Sequence, residues 1–174
     1  MKSVMVAASQ VALGLRDVVV CGGMESMSNV PHYLSVRNGL RLGDGKVVDG
    51  VVFDGLWDPY GDRHMGSCAE KCAADHGIDR DAQDTYAELS YERARAAKGF
   101  HAQEIVPVEV SVRRKTVMIT EDEEPTKDTA KLRSLRSAFQ KDGTVTAANA
   151  SKLNDGAAAL VVMSLAECEK RGLE

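Results

Sequence analysis

The stretch MKSVMVAASQVALGLRDVVVCGG, Met1 to Gly23, decides the fold class. Met1 to Leu13 carries a single charge, Lys2, and is otherwise mostly small or apolar, and Gly14 stands where a helix C-cap glycine belongs. That pattern predicts a helix buried on most sides. Asp17 to Cys21 (DVVVC) is a β-branched run bounded by Gly22 and Gly23, the composition of a central strand covered on both faces. A buried helix feeding a buried strand points to the α/β class.

The far end reads the same way. Ala157 to Met163 (AAALVVM) is a wholly apolar strand, and Ser164-Leu165-Ala166-Glu167 has the form of a capping box opening a short helix that stops at Gly172. Between the two ends, residues 28–63 carry Pro, Gly, Asn and Asp every few positions without a lasting period, which predicts a long ordered loop. Loops of that length tend to be lids or binding elements, and an oligomer or surface loop is the equal alternative. A helix over 66–76 ends at Gly77. Asp79 then caps a second helix, Arg80 to Lys98, ending at Gly99 and expected to pack through Ala82, Tyr86, Leu89 and the stem of Arg93. Ile105 to Val112 alternates as a half-buried strand, with Val117 to Ile119 as its hairpin partner. The acidic run Glu121 to Glu124 reads as a solvated turn. Core, insertion, core is the inferred organisation.

A length of 174 residues suits one ordinary domain or part of a larger protein, since domains run to roughly 100–200 residues. With 44% hydrophobic and 28% charged residues the chain has a globular composition. The net charge of −4 opposes a general nucleic-acid-binding surface, so no nucleic-acid partner is expected. The longest apolar stretches fall far short of the ~20 residues that cross a bilayer, so no membrane span is expected. Four scattered cysteines, Cys21, Cys68, Cys72 and Cys168, point to a reducing compartment, and cytosol and an organelle matrix both fit. Met1 falls inside a structural element, which leaves an N-terminal address open.

Three places carry candidate chemistry. Lys127 to Lys141 (KDTAKLRSLRSAFQK) holds five positive side chains and one negative, enough to meet a phosphate-bearing ligand or to form a solvated helix face. Thr144 to Gly156 (TVTAANASKLNDG) is almost empty of bulk, so that a ligand, another chain or a cation can approach its main-chain groups, unless it is a tight structural turn. His64-Met65-Gly66 opens a helix, where the imidazole is placed to donate and the Met to line an apolar channel, although a lone His is more often packed or exposed. Cys68 and Cys72 stand at helical i, i+4 spacing but lack the second pair a structural zinc site needs.

GGMESMSN at Gly22 to Asn29, HMGSCAE at His64 to Glu70, QDTYAELSYERA at Gln83 to Ala94 and GTVTAANASKLNDGAAAL at Gly143 to Leu160 together resemble the thiolase family. The likeness is greatest to its acetyl-CoA acetyltransferase branch. It implies an α/β chain that is a partial thiolase fold, the rear of the N-terminal α/β half with an inserted loop domain. The implied divisions are residues 1–27 as core, 28–142 as the loop domain for coenzyme A binding and oligomerisation, and 143–174 as the return to the core and final helix.

The family's reaction is a Claisen condensation and its reverse, in which a cysteine takes an acyl group from CoA and a second, deprotonated acetyl-CoA attacks it. By resemblance the nucleophilic cysteine lies just before the residues matched by Met1-Lys2-Ser3, and the acid/base residues lie in a second half. None of the four cysteines matches either catalytic cysteine. No catalytic residue is therefore assigned, and the chain alone is expected to be inactive. His64, Met65, Tyr91, Lys131, Ala138, Phe139 and Ser151 resemble the CoA-binding residues. Tyr91 with the carbonyls of Ala147, Ala148 and Ala150 resembles a potassium site. At Thr126-Lys127-Asp128 the chain departs from an Arg-containing triplet set against the nucleotide, leaving Lys127 or Arg133 to compensate. The resemblance implies no covalent cofactor, an acyl-CoA partner, a homo-oligomer (dimer or tetramer) at full length, and a mitochondrial matrix or cytoplasmic location. The alternative reading is a non-catalytic CoA-binding or dimerising partner of a thiolase.

Overall fold

The computed structural model describes residues 1–112 and 115–173. The chain forms two compact units, one of Met1–Gly55 with Leu153–Glu174 and one of Leu56–Lys152.

In the first unit, helix α1 (Lys2–Ala12) packs on an antiparallel pair, β1 (Val18–Ser26) and β8 (Asp155–Met163), in which Val18 faces Met163 and Ser26 faces Asp155. Ser3 Oγ donates to the Gly22 carbonyl at 2.7 Å, fastening the start of the helix to the strand. Two expectations change here. The helix is not buried on most sides, because only Ala7 is buried and Met5 and Val6 are exposed. The strand is not covered on both faces, because a two-stranded sheet under one helix leaves Val20 and Met24 in solvent. Gly22 and Gly23 also lie inside β1 rather than bounding it. The reason at Gly22 is close approach, since a Cβ there would stand 2.2 Å from the Ala158 carbonyl oxygen.

The segment predicted as a loop over 28–63 contains short pairs. β2 (His32–Leu34) pairs with β3 (Val47–Asp49), and, in the second unit, β4 (Trp57–Asp58) with β5 (Arg63–His64). Strands of three and two residues are too short to leave a readable period. The last helix, α5 (Leu165–Lys170), starts at Ser164, whose hydroxyl accepts from Glu167 N at 3.2 Å. Only that half of the capping box forms, because the Glu167 carboxylate turns to Lys170 and Arg171.

In the second unit, α2 (Met65–His76) ends at Gly77 with φ +64, a left-handed C-cap that favours glycine. α3 (Arg80–Ala96) starts at Asp79, whose carboxylate accepts from Ala82 N at 2.8 Å. It stops before Gly99, which lies inside a further turn, α4 (Lys98–His101). The face of α3 that packs differs from the expected one. Asp84 and Ala87 are buried and Tyr91 is half-buried, whereas Tyr86 is 70% exposed and Leu89 is 38% exposed. A polar network around Asp84 supplies the buried side, so apolar periodicity points the wrong way. β6 (Val108–Val112) and β7 (Lys115–Ile119) form the expected hairpin, with Val110 opposite Val117.

The basic stretch is no helix beyond a 3₁₀ turn at Leu132–Ser134. Arg133 is held by Glu88 at 2.7–2.8 Å and also by Asp81 and Thr85. Lys127 pairs with Glu124. Both residues expected to compensate for the missing arginine are thus engaged with carboxylates of this chain. Among the described residues no helix is long and apolar enough to cross a membrane.

Candidate functional site

The site is built on the segment from Thr144 to Lys152, which two buried carboxylates hold in place. Glu70, on α2 and 4% exposed, accepts from Thr144 N, Val145 N and the Thr144 hydroxyl, each at 2.9 Å. Burial raises its pKa, and these donors outweigh that and hold the carboxyl below the ordinary glutamate value. Asp84, on α3 and 2% exposed, accepts from Arg80 Nε at 2.6 Å and from Asn149 Nδ2 at 3.0 Å. Asn149 Oδ1 in turn accepts from Thr146 N at 2.7 Å. Thr146 is fully buried, and its hydroxyl accepts from Ala148 N and Asn149 N. The small residues after it are therefore wound around one threonine in a tight turn.

That turn presents Ala148, Ala150, Ser151 and Lys152 to a cavity of about 340 Å³ whose other walls include Ala87, Ser90 and Tyr91 of α3 and Glu124. Glu124 accepts from the Tyr91 hydroxyl at 3.0 Å and from Lys127, and Lys152 Nζ lies 4.0 Å away. The Lys127 ammonium, opposed by burial and helped by Tyr91, holds the Glu124 carboxyl below its ordinary value. Burial, followed by the bond to Glu124, pushes the Tyr91 phenol up. Lys152 Nζ also donates to the Ala147 carbonyl.

His64 caps α2, with Nδ1 accepting from Gly66 N at 3.0 Å. Its ring stacks on Phe139 with centroids 4.9 Å apart and planes at 26°. Gly66 makes that possible, because a Cβ there would come within 2.3 Å of the Phe139 ring. Ala138 N donates to Val145 O at 2.9 Å, so residues 138–139 run beside the anchored segment and line a shallower cavity of about 680 Å³.

Of the residues singled out from sequence, Tyr91, Ala148, Ala150 and Ser151 share the 340 Å³ cavity. His64, Ala138 and Phe139 form a second grouping. Met65 is the exposed first residue of α2, Lys131 is exposed just before the buried Leu132, and Ala147 is exposed outside the cavity lining. Sequence reasoning missed Glu70, Asp84, Glu124, Asn149 and Lys152. Glu124 in particular lay in a run read as solvated surface, and its contacts with Tyr91, Lys127 and Lys152 distinguish it from its acidic neighbours.

The family model described as Thiolase, N-terminal domain, matches residues 1–166. The chain belongs to the thiolase family. Among thiolase-family proteins it is 54% identical over 180 residues to Acetyl-CoA acetyltransferase 1 of Arabidopsis thaliana, covering 99% of this chain and 43% of that protein. Identity to Acetyl-CoA acetyltransferase of Schizosaccharomyces pombe is 49% over 180 residues, covering 100% of this chain and 46% of that protein. The crystal structure of the Bacillus anthracis acetyl-CoA acetyltransferase matches with a TM-score of 0.86 at 41% identity, over 100% of this chain and 45% of that one. Human mitochondrial 3-ketoacyl-CoA thiolase matches with a TM-score of 0.83 at 34% identity, over 99% and 45%. The fold is thus a partial thiolase fold, as the resemblance implied, and the chain spans less than half the length of these relatives. They include a protein named cytosolic, from Gibberella zeae, as well as the mitochondrial thiolase.

Proposed function

We propose that this chain supplies the acyl-CoA-binding part of an acetyl-CoA acetyltransferase, the thiolase that condenses two acetyl-CoA to acetoacetyl-CoA and CoA through an acyl-cysteine and runs the reverse reaction. The observation that carries this reading is the single cavity shared by Tyr91, Ala148, Ala150 and Ser151. About half of the chain's residues are identical to those of proteins named for that activity, which supports it further.

Within residues 28–142 and the return segment after them, the roles follow from chemistry. The Ser151 hydroxyl can both donate to and accept from the amides of the pantetheine arm, and Ala148 and Ala150 let that arm approach the backbone. In neutral His64, Nδ1 is an acceptor, so the ring proton lies on Nε2 and can be donated to an acyl-CoA oxygen, with Phe139 fixing the ring plane. Met65 and Ala138 supply apolar wall, and the exposed Lys131 supplies charge for a phosphate. None of the four free cysteines is assigned as nucleophile. Cys68 Sγ lies 3.8 Å from Asp58 Oδ2 and Cys168 Sγ 3.4 Å from Leu173 O, and among the described residues no histidine is bonded to either.

Two measurements on the purified chain test the reading. Thiolysis of acetoacetyl-CoA is expected to equal the buffer rate, and robust turnover overturns the assignment of no nucleophile. Calorimetry is expected to detect weak CoA binding that His64→Ala and Ser151→Ala each reduce, and absence of binding at millimolar CoA overturns the site.

A second reading, a non-catalytic thiolase-like protein that binds CoA or pairs with another copy, is favoured by one feature. Val20 and Met24 of β1 and Val161 of β8, which share one face of the strand pair, are exposed at 71%, 84% and 59%, an apolar surface suited to association. Homo-oligomerisation as a dimer or tetramer fits either reading, as does a mitochondrial matrix or cytoplasmic location.

A further inference from the structure

A potassium ion is held by several oxygens that converge on it with no donor competing for them. The resemblance gives that task to Tyr91 and to the carbonyls of Ala147, Ala148 and Ala150, and the contacts in this chain fit it poorly. The Ala147 carbonyl already accepts from Lys152 Nζ. The Tyr91 hydroxyl donates its proton to Glu124 at 3.0 Å, so its oxygen keeps its lone pairs but sits beside the carboxylate that draws in two ammonium groups. Glu124, which accepts from Tyr91, is flanked by two ammonium groups, Lys127 in direct contact and Lys152 at 4.0 Å. The side chains of Lys152 and Glu124 are 24% and 17% exposed, against 52% for Lys127, so the attraction between Lys152 and Glu124 is screened less than one in open water.

A lysine ammonium is a compact single positive charge with three donors and no acceptor. It therefore meets the oxygens that would otherwise attract a monovalent cation. We propose that Lys152 is a built-in cation, its ammonium holding the Ala147–Ser151 turn through Ala147 O and Glu124, so that this site keeps its shape without potassium. A potassium ion placed among the same oxygens would lie beside a like charge. The inference rests on the proposed CoA site only for the purpose of the turn, because the contacts themselves need no CoA.

The test is a titration of the folded chain with KCl against tetramethylammonium chloride, whose cation is too large for a carbonyl site, followed by the amide NMR shifts of residues 147–151 without CoA. The unaltered chain is expected to give the same small shifts with both salts. Lys152→Thr is expected to acquire a saturable potassium-specific shift, with affinity at least about tenfold above that of the unaltered chain once the like charge is gone. Lys152→Arg, which keeps the charge, is expected to stay blind to potassium. A saturable potassium response in the unaltered chain or in Lys152→Arg, or a folded Lys152→Thr that remains blind, overturns the proposal. If Lys152→Thr fails to fold, the other two titrations still decide. Because CoA is absent, failure to bind CoA would reject the proposed site and leave this result standing.

Discussion

Glu70 lies in the HMGSCAE stretch that carries the family resemblance, yet its partners Thr144 and Val145 are 74 and 75 residues away. Removing the carboxylate in Glu70→Ala takes the acceptor from the buried Val145 N–H, the part-buried Thr144 N–H and the Thr144 hydroxyl proton, and is expected to cost about 3 kcal/mol in a urea denaturation series. The sign of its pH dependence follows from a folded pKa held below the unfolded one. Its contribution is complete above the unfolded value of about 4.3 and is lost as pH falls through the depressed folded value. Glu70→Gln is therefore expected to flatten the acid limb of stability against pH, and an unchanged limb would show that other carboxylates dominate it. His64 and Ser151 were legible as residue types within motifs. Glu124 and Asn149 were not, because a side chain's role here depends on which donor from another element reaches it.

Elements were most legible where a cap marks them. Asp79, Gly77 and Ser164 announce their helix ends through local hydrogen bonds and one left-handed φ, none of which needs a distant partner. Ser164→Ala is expected to lower the melting stability by about 1 kcal/mol, read by thermal unfolding followed by circular dichroism. Gly22 belongs to the opposite case, since its need for no side chain comes from the Ala158 carbonyl across the β1–β8 pair. Gly22→Ala forces backbone apart and is expected to cost about 2–3 kcal/mol, whereas Gly23→Ala, with nothing within 4 Å of its Cβ, is expected to cost much less. Equal effects at the two positions would contradict the β1–β8 register. The face of α3 misled sequence reading for a related reason: its buried side is organised by Asp84, whose charge is tolerable inside only because Arg80 and Asn149 reach it.

At the scale of the whole chain, the β1–β8 pair exposes Val20, Met24 and Val161 on one face within one compact unit. The chain is expected to self-associate with rising concentration in sedimentation-velocity experiments, and a double change of the cross-strand neighbours Val20 and Val161 to Thr is expected to weaken that association. A strictly monomeric chain at all concentrations would count against both the oligomer expectation and the second functional reading. The α/β class, the strands at both ends, the caps at Gly77, Asp79 and Ser164, the central hairpin and the thiolase family could be read from the residues, because each depends on local periodicity, local capping or a contiguous motif; the stop expected at Gly99 is not where α3 ends. Tertiary structure alone decided that α1 and β1 are largely exposed, that α3 buries a polar face, and that Glu70 and Asp84 anchor the turn facing Tyr91. It also decided that Lys152 comes to 4.0 Å from Glu124, which its near neighbour Lys127 already meets. The buried contacts among these depend on which residues, far apart in the chain, share a small volume withdrawn from water, where an unpaired charge or donor is costly and a paired one is not.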